Sequence, residues 1–305
     1  MPLGCYKQKG GNKIMSILSP LRYPGGKSKI SNFFKQFVKD NGLLDGVYVE
    51  PYAGGASVAL SLLFDEYVSK IIINDKDRSI YAFWHSVLYD TENLCRLIAE
   101  TPVTMENWKK LRELQKVDKK DQASLLDLGF STFFMNRTNR SGIIKAGVIG
   151  GYAQTGNYKM DARYRKDELL KRIHRIASYA DRIELHNEDA VDFIQKIANQ
   201  NIDKTILYLD PPYYKKGQGL YMNYYKDSDH RDIKSLVSRL GQMKWVVSYD
   251  NSEFIKSLYQ EFRHQEFRLN YSANNNGTGT EVIFFSDNCL LTPEALDKLH
   301  FKKEQ

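Results

Sequence analysis

Cysteine and histidine are scarce in this chain of 305 residues, which contains three cysteines and six histidines. Cys5, Cys95 and Cys289 are odd in number and widely separated, so they do not form the pattern of a disulfide framework. Neither residue type recurs at the short spacings that bind zinc. We therefore predict no disulfide, no metal site and a reducing cytoplasm as the compartment.

Long apolar runs are missing as well. No stretch approaches the roughly 20 residues of a transmembrane helix, and residues 1–20 lack the apolar core of a signal peptide. Residues 1–15 are polar and rich in glycine and lysine, which predicts a disordered leader. We expect no contact with a membrane.

Acidic residues are fewer than basic ones: 37 Asp and Glu stand against 44 Lys and Arg, and the net charge is +7. A basic chain suits a polyanionic partner. The cations are concentrated in residues 134–147 and 158–179, where tyrosine, asparagine and glycine are interspersed with them. This mixture is typical of a surface that contacts nucleic acid.

Apolar runs of strand length lie at 46–50, 70–75, 205–210 and 244–250, and segments of helical spacing separate most of them. This order predicts an α/β fold with a Rossmann-like, mostly parallel sheet and helices on both faces. Residues 81–178 interrupt the pattern with helical spacing and a glycine-rich stretch, which predicts an inserted, mainly helical domain.

Four acidic residues lie at the ends of predicted strands, where parallel sheets bind their ligands. Glu50, Asp75 and Asp210 end three of the runs above, and Asp189 lies at the end of a further strand candidate at 182–190. The segment EPYAGGAS, which begins at Glu50, has the form of a strand–loop–helix turn that allows close approach of a ligand. It lacks the G-x-G-x-x-G spacing of a pyrophosphate site, so we predict a nucleoside ligand without a pyrophosphate, with Asp75 on its ribose.

The segment LRYPGGKSK, residues 21–29, contains Gly-Lys-Ser but no phosphate-binding loop, because position 21 is leucine where that motif needs glycine. An alternative interpretation is a loop in which Tyr23 packs on a ligand and Lys27 supplies a charge.

The segment DPPY ends another strand. Asp210 and the carbonyl of Pro211, held rigid by Pro212, can accept both hydrogens of the exocyclic amine of adenine. This exposes the nitrogen lone pair to an electrophile, and no strong base is needed before the attack. Tyr213 offers a ring on which a flipped base could stack.

In this order, the segments RYPGGK, EPYAGG, IIND, NRTNRSG and DPPY resemble the motifs of the Dam-type (D12 class) DNA adenine-N6 methyltransferases, over roughly residues 19–286. The resemblance implies S-adenosylmethionine as cofactor and double-stranded DNA as partner, with a cognate restriction nuclease as a further candidate partner and no metal in the chemistry. It implies a catalytic domain at 16–80 and 179–290, target recognition at 81–178, and a tail at 291–305.

The resemblance also assigns roles to residues. The cofactor set is Tyr23, Lys27, Glu50, Pro51, Tyr52, Ala53, Gly54, Gly55, Asp75, Asp189 and Asp210, with Asp189 near the cofactor's adenine. The DNA contacts expected in the insertion are Arg137, Asn139, Arg140, Lys145, Arg163 and Arg165. The recognition segment differs from that of members that read GATC, so the target sequence does not carry over.

We therefore predict a site-specific methyltransferase that acts on N6 of a flipped adenine in duplex DNA. Three alternatives remain from the residues themselves: methylation of cytosine N4, methylation of adenine N6 in RNA, and an inactive DNA-binding subunit of a modification complex.

Overall fold

The computed structural model describes residues 18–22, 27–214, 225–270 and 278–299, and the structural statements below refer to these residues. The predicted leader and the candidate cofactor residue Tyr23 lie outside them.

Within the described ranges, seven strands form one sheet in the order β3–β2–β1–β4–β5–β7–β6. Neighbouring strands are parallel, except that β7 is antiparallel to both β5 and β6. The prediction of an α/β fold with a mostly parallel sheet is confirmed. The strands span Gly46–Glu50 (β1), Val68–Asn74 (β2), Ile183–His186 (β3), Thr205–Leu209 (β4), Lys244–Asp250 (β5), Arg263–Asn270 (β6) and Thr278–Phe285 (β7).

The helices connect these strands, and the whole chain between β2 and β3 is mainly helical. None of the described helices is long and apolar enough to cross a membrane. The α-helices span Ser31–Asp40 (α1), Ser57–Phe64 (α2), Arg78–Tyr89 (α3), Thr91–Glu100 (α4), Met105–Glu113 (α5), Val117–Lys120 (α6), Leu125–Thr138 (α7), Lys166–Ala177 (α8), Ala190–Asn199 (α9), Asp227–Val237 (α10), Glu253–Leu258 (α11) and Pro293–Asp297 (α12).

The sheet has a buried core on each face, because successive side chains of a strand point to opposite sides. On β4, Ile206 and Tyr208 join one cluster, whereas Leu207 and Leu209 join the other. We call the first cluster the α1 face, since the phenylalanines of α1 pack in it, and the second the α9 face.

The helices between β2 and β3 do not build a core apart from the sheet. Phe83 on α3, Phe133 on α7 and Ile173 on α8 belong to the same cluster as Ile71 and Ile73 of β2. The helical segment is therefore fixed to the sheet through a continuous set of buried apolar contacts on the α1 face.

Candidate active site

Five polar side chains converge on the α1 face at the carboxyl end of the sheet. Tyr208 lies in the α1-face core, and Asp210 lies two positions further, so it points to the same side. The same alternation directs the side chains of Glu50 on β1, Ser248 on β5 and Glu281 on β7 towards the α1 face. Strands β1 and β4 are neighbours in the sheet but not in sequence, and ligands of open α/β sheets bind at such a switch point.

Lys27 lies at the centre of this group. It begins a 3₁₀ segment, Lys27–Ile30, that leads into α1. Its Nζ is 2.9 Å from Asp210 Oδ1 and 2.8 Å from Glu281 Oε2, and it donates to Ser248 Oγ at 3.1 Å. Ser248 donates its single proton to Asp210 Oδ1 at 2.9 Å, so the hydroxyl of Tyr208, 2.8 Å away, donates to Ser248.

The charges of this network act on one another. Burial alone would lower the pKa of Lys27, but Asp210 and Glu281 outweigh it and raise that pKa well above its ordinary value. Burial raises the pKa of Asp210, Lys27 opposes the change, and Glu281 adds to it. Lys27 therefore remains charged and favours the ionised form of Asp210.

The two oxygens of Asp210 differ in their surroundings. Oδ1 contacts both Lys27 and Ser248, whereas no described residue donates a hydrogen bond to Oδ2. The carbonyl oxygen of the buried Pro211 likewise receives no donor from the described residues. Two acceptors on adjacent residues are thus available for the two hydrogens of an amine, as predicted from the sequence.

Tyr213 does not lie as predicted. Its side chain is 2 % exposed, and its hydroxyl donates to Glu281 Oε1. Pro212, the residue before it, is also buried. A ring that is buried to this degree offers no open face to a base in this conformation, so the structure assigns Tyr213 to the buried network rather than to a stacking platform.

Glu50 is buried at the end of β1, and its Oε2 has no hydrogen-bond partner among the described residues. Burial and then the nearby Asp210 raise the pKa of Glu50 well above its ordinary value. A buried oxygen without a donor is costly. Glu50 is therefore a candidate to receive a donor from a ligand.

Asp75, after β2, holds the glycine loop. Its Oδ2 accepts from the backbone N–H of Gly54 at 2.9 Å, and its Oδ1 accepts from that of Asp77 at 2.9 Å. Burial, and then the charge of Asp77, raises the pKa of Asp75 to about 7. Each carboxylate oxygen has a second lone pair, so the predicted role of accepting from a ribose remains compatible with this geometry.

Other contacts fix the same loop from the side of β2 and α3. The side-chain amide of Asn74 donates to the carbonyl of Pro51 at 3.0 Å, and the backbone carbonyl of Asn74 accepts from Ala53 N at 2.9 Å. Trp84 donates from Nε1 to the carbonyl of Gly54 at 2.9 Å. Gly55 is buried beside it. The loop backbone is therefore held in place by side chains that sequence reasoning did not single out.

Asp189 lies apart from the network. It caps α9 by accepting from Val191 N at 2.9 Å, and Lys76 lies 2.8 Å from its Oδ2. It also lines a polar cavity of about 710 Å³ between α9 and α10, which includes Tyr225. Tyr225 in turn shares a hydrogen bond of 3.0 Å with Tyr52 of the glycine loop. Among the described residues, no cluster of His, Cys, Asp or Glu is arranged to hold a metal ion.

Two of the residues predicted to contact DNA are buried. Arg137 is 6 % exposed and donates from Nε to the carbonyl of Pro20 at 2.7 Å. Asn139 is 0 % exposed, accepts from Trp108 Nε1 at 2.7 Å and donates to the carbonyl of Ile144 at 2.8 Å. Side chains buried inside the protein do not reach a duplex, so the prediction that Arg137 and Asn139 contact DNA does not hold in this structure.

The end of α7 instead holds the chain that leads to Lys27. Asn136 accepts from the N–H of Arg22 at 2.7 Å and donates to its carbonyl at 2.8 Å. It also donates to the carbonyl of Gly142 at 2.8 Å. Gly142 has φ +76°, and a Cβ there would lie 2.5 Å from the Arg22 carbonyl oxygen. Only glycine permits this approach of the two backbones.

The remaining predicted DNA contacts lie at the surface. Arg140, Lys145, Arg163 and Arg165 are all exposed. Arg165 is 3.2 Å from Glu168, and the other three form no ion pair with a described residue. The exposed cations of the segment thus begin three residues after the buried Arg137.

Sequence reasoning missed Ser248 and Glu281. Both stand in otherwise apolar strands, in WVVSYD and EVIFF, and that interruption was the available signal. A polar residue on the buried face of a strand requires a partner, and here the partner is Lys27. The distance along the chain between Lys27 and these strands hid the pairing.

The rRNA methyltransferase aviRa from Streptomyces viridochromogenes is similar over 96% of each chain, with 12% identity and a TM-score of 0.40. Protein LPL1258 from Legionella pneumophila str. Philadelphia 1 is similar over 89% of this chain and 88% of its own, with 10% identity and a TM-score of 0.34. No curated protein sequence matches the chain significantly.

The family comparison covers most of the chain. The model of the D12 class N6 adenine-specific DNA methyltransferases matches residues 23–272, a range that includes Lys27, the glycine loop, Asp75 and the DPPY segment. The chain belongs to the D12 class N6 adenine-specific DNA methyltransferase family.

Proposed function

We propose that this methyltransferase moves a methyl group from S-adenosylmethionine to N6 of an adenine flipped out of duplex DNA. The observation that carries the proposal is the state of Asp210. Its Oδ1 is occupied by Lys27 and Ser248, and its Oδ2 is available at the switch point of the sheet.

Asp210 Oδ2 and the Pro211 carbonyl accept the two N–H groups of the target amine. These contacts draw the nitrogen towards tetrahedral geometry and make its lone pair available. Burial raises the pKa of Asp210, and the charge of Lys27 opposes that rise and favours the ionised form, which is the stronger acceptor. The amine loses a proton after methyl transfer, when it has become acidic, and Asp210 is the nearest acceptor of the network.

The charge of the network supports S-adenosylmethionine as the cofactor. Asp210 and Glu281 share one cation, Lys27, so the group has an excess negative charge even with Glu50 protonated. The cofactor supplies an electrophilic methyl group on a positively charged sulfur, which this charge complements. Asp75 would accept from its ribose hydroxyls, and Glu50 Oε2 would receive a donor that the protein itself does not provide.

The exposed cations support DNA as the substrate. Arg140 and Lys145 lie on the segment that Asn136 and Gly142 join to Arg22. Lys27 follows Arg22 by five positions in the chain, a span of at most about 18 Å. A duplex bound through these cations therefore lies close enough for one flipped nucleotide to reach the network.

The test is expression in a host that lacks adenine methylation, followed by mapping of modified bases in its DNA and RNA. Wild type should place N6-methyladenine at one DNA sequence, Asp210→Ala should place none, and the exposed-site control Asp181→Asn should match wild type. N4-methylcytosine, or methylation of RNA alone, would overturn the assignment of the base or of the nucleic acid. A folded wild-type protein that modifies neither would identify an inactive subunit.

A further inference from the structure

Glu281 is a buried carboxylate that no motif of the sequence accounts for. It is 0 % exposed, and it stands near the start of the described part of β7, before the apolar run from Val282 to Phe285. A buried charge in a strand is unfavourable unless it is paired and hydrogen-bonded. The presence of a carboxylate at this buried position therefore needs a structural explanation.

Glu281 joins two segments that are far apart in sequence. Its Oε2 is 2.8 Å from Lys27 Nζ, at the start of the 3₁₀ segment before α1, and its Oε1 accepts from the hydroxyl of Tyr213, after β4. Ser248 of β5 completes the cage around Lys27. Lys27 is thus held on one side by Glu281 and on the other by Asp210.

We propose that Glu281 is a positioning residue, which holds Lys27 against Asp210 Oδ1 and fixes Tyr213 at the end of the DPPY segment, so that of the two Asp210 oxygens only Oδ2 faces the target amine. The inference rests on the proposed function, since it assigns Glu281 a part in the same methyl transfer. It concerns a residue that acts through Lys27 and Tyr213 and does not itself touch the amine.

Glu281 also influences the ionisation of Asp210. Its charge adds to the effect of burial and raises the pKa of Asp210, whereas Lys27 lowers it. The other titratable groups that act on Asp210 or lie next to it in the network are Glu50 of β1, Tyr48 of β1, Tyr208 of β4 and Tyr213 of the loop. The substitution Glu281→Gln removes this charge with almost no change of shape.

The first test is the pH dependence of single-turnover methylation by two variants. Glu281→Gln keeps the shape but removes the charge. It should lower the maximal rate at least tenfold and move the acid midpoint to lower pH, because Asp210 then stays ionised further into acid. Glu281→Asp keeps the charge but has a shorter side chain. Its maximal rate should therefore fall, while the acid midpoint of its pH profile should stay at the wild-type value. Glu266→Gln, on the exposed side of neighbouring β6, is the matched control and should change neither quantity.

The second test uses stability and requires no activity. Lys27→Met leaves Asp210 and Glu281 as two neighbouring buried carboxylates, whereas the double variant Lys27→Met/Glu281→Gln leaves one. The double variant should therefore have a higher melting temperature than Lys27→Met alone at pH 8. A double variant that melts at the same temperature as Lys27→Met, or below it, would show that Glu281 does not depend on Lys27.

The two failures can be told apart. A wild-type rate and wild-type acid midpoint in Glu281→Gln, in a preparation that methylates DNA, would overturn the positioning role and leave the proposed function intact. Wild-type protein that methylates no nucleic acid would overturn the proposed function and the catalytic part of this inference together.

Discussion

The strand ends and the connection between α7 and α8 both carry charged residues, but the two regions bury them differently. At the strand ends, Lys27 is balanced by the carboxylates of Asp210 and Glu281. At the end of α7, which leads into that connection, the buried Arg137 donates to the carbonyl of Pro20, while Arg140 lies exposed three residues later. In the first region buried charges of opposite sign lie together, whereas in the second one cation is buried against a backbone carbonyl and the next is exposed.

The largest effect should come from Asp210→Asn, which tests the first region. The amide offers Lys27 no charge and can present a donor to the target amine. We expect the single-turnover rate to fall by roughly 10²–10³-fold, by comparison with the removal of one preorganised polar group from other active sites. Circular dichroism would establish folding, with Asp181→Asn as the control. Near-wild-type turnover would refute the acceptor role.

Arg137→Ala and Arg140→Ala should separate the two kinds of cation in the second region. Arg137→Ala leaves the buried Pro20 carbonyl without its donor, which should lower the free energy of unfolding by roughly 1–3 kcal/mol. Arg140→Ala, at an exposed site, should change it by less than about 0.5 kcal/mol. Urea denaturation measures both. A stable Arg137→Ala protein with weakened DNA binding would restore Arg137 as a DNA contact.

Asp75 should make cofactor binding depend on pH. Since its pKa is raised from 3.8 to about 7 and the ionised form accepts from the ribose, affinity for S-adenosylmethionine should rise as pH approaches 7 and then level off. The slope below that point should be about tenfold per pH unit. In the protein without cofactor the sign is opposite: the contribution of Asp75 to stability is full below pH 3.8 and is lost as pH rises through about 7.

Calorimetric titration between pH 5.5 and 8.5 measures the binding effect. Asp75→Asn should bind more weakly and show a flat profile over this range. If the wild-type protein shows no change of affinity between pH 5.5 and 7, Asp75 does not receive the ribose in its ionised form.

Tyr213→Phe should have a smaller effect than any change of charge in the network. It removes one hydrogen bond, worth roughly 1 kcal/mol, which corresponds to about a fivefold loss of rate. The acid midpoint of the pH profile should stay at its wild-type value, because Glu281 keeps its charge. Full activity in Tyr213→Phe together with a large loss in Tyr213→Ala would indicate that the ring moves out to stack on the base.

The smallest effect concerns the exposed cations. Each phosphate contact that is lost should reduce the slope of log K against log salt by about 0.9, which amounts to roughly a threefold to fourfold difference between 50 and 200 mM salt. Arg140→Ala and Lys145→Ala should each show this reduction, whereas Lys39→Ala on α1 should not. Fluorescence anisotropy with a labelled duplex gives the slopes. Unchanged slopes in both variants would place the DNA elsewhere on the protein.

The sheet and its strand ends were predictable because alternation and strand order are local signals. The positions of β1, β2, β4 and β5 follow from apolar runs, and the carboxyl ends of parallel strands necessarily share one edge. Asp210 and Asp75 were therefore located from sequence. Glu281 was not, because its partner Lys27 lies more than 250 residues away in the chain, at the other end of the molecule's sequence.

The α7–α8 connection was less predictable for a physical reason. Arg137 lies in the last turn of α7, where every residue from Leu128 to Thr138 is buried, so no amphipathic period shows which side chains face inward. Arg140 follows in an irregular segment, and the sequence alone does not distinguish the two arginines. Their difference depends on the chain at 18–22, which packs against α7 and provides the carbonyl that Arg137 binds. The burial of Tyr213 was not predicted for a related reason, since its hydroxyl donates to Glu281, which lies on a strand distant in sequence.

The bond pattern of Asn136 has a consequence for engineering. Exchange of residues 81–178 for those of a relative would test their predicted role in target recognition. The side-chain amide of Asn136 hydrogen-bonds both the N–H and the carbonyl of Arg22, and Gly142 packs closely against the same Arg22 carbonyl. A transplanted segment must therefore fit residues 18–22, which lie outside it. Chimeras should be folded and active only when residues 18–22 are exchanged together with residues 81–178. Those five residues are therefore part of the exchangeable unit.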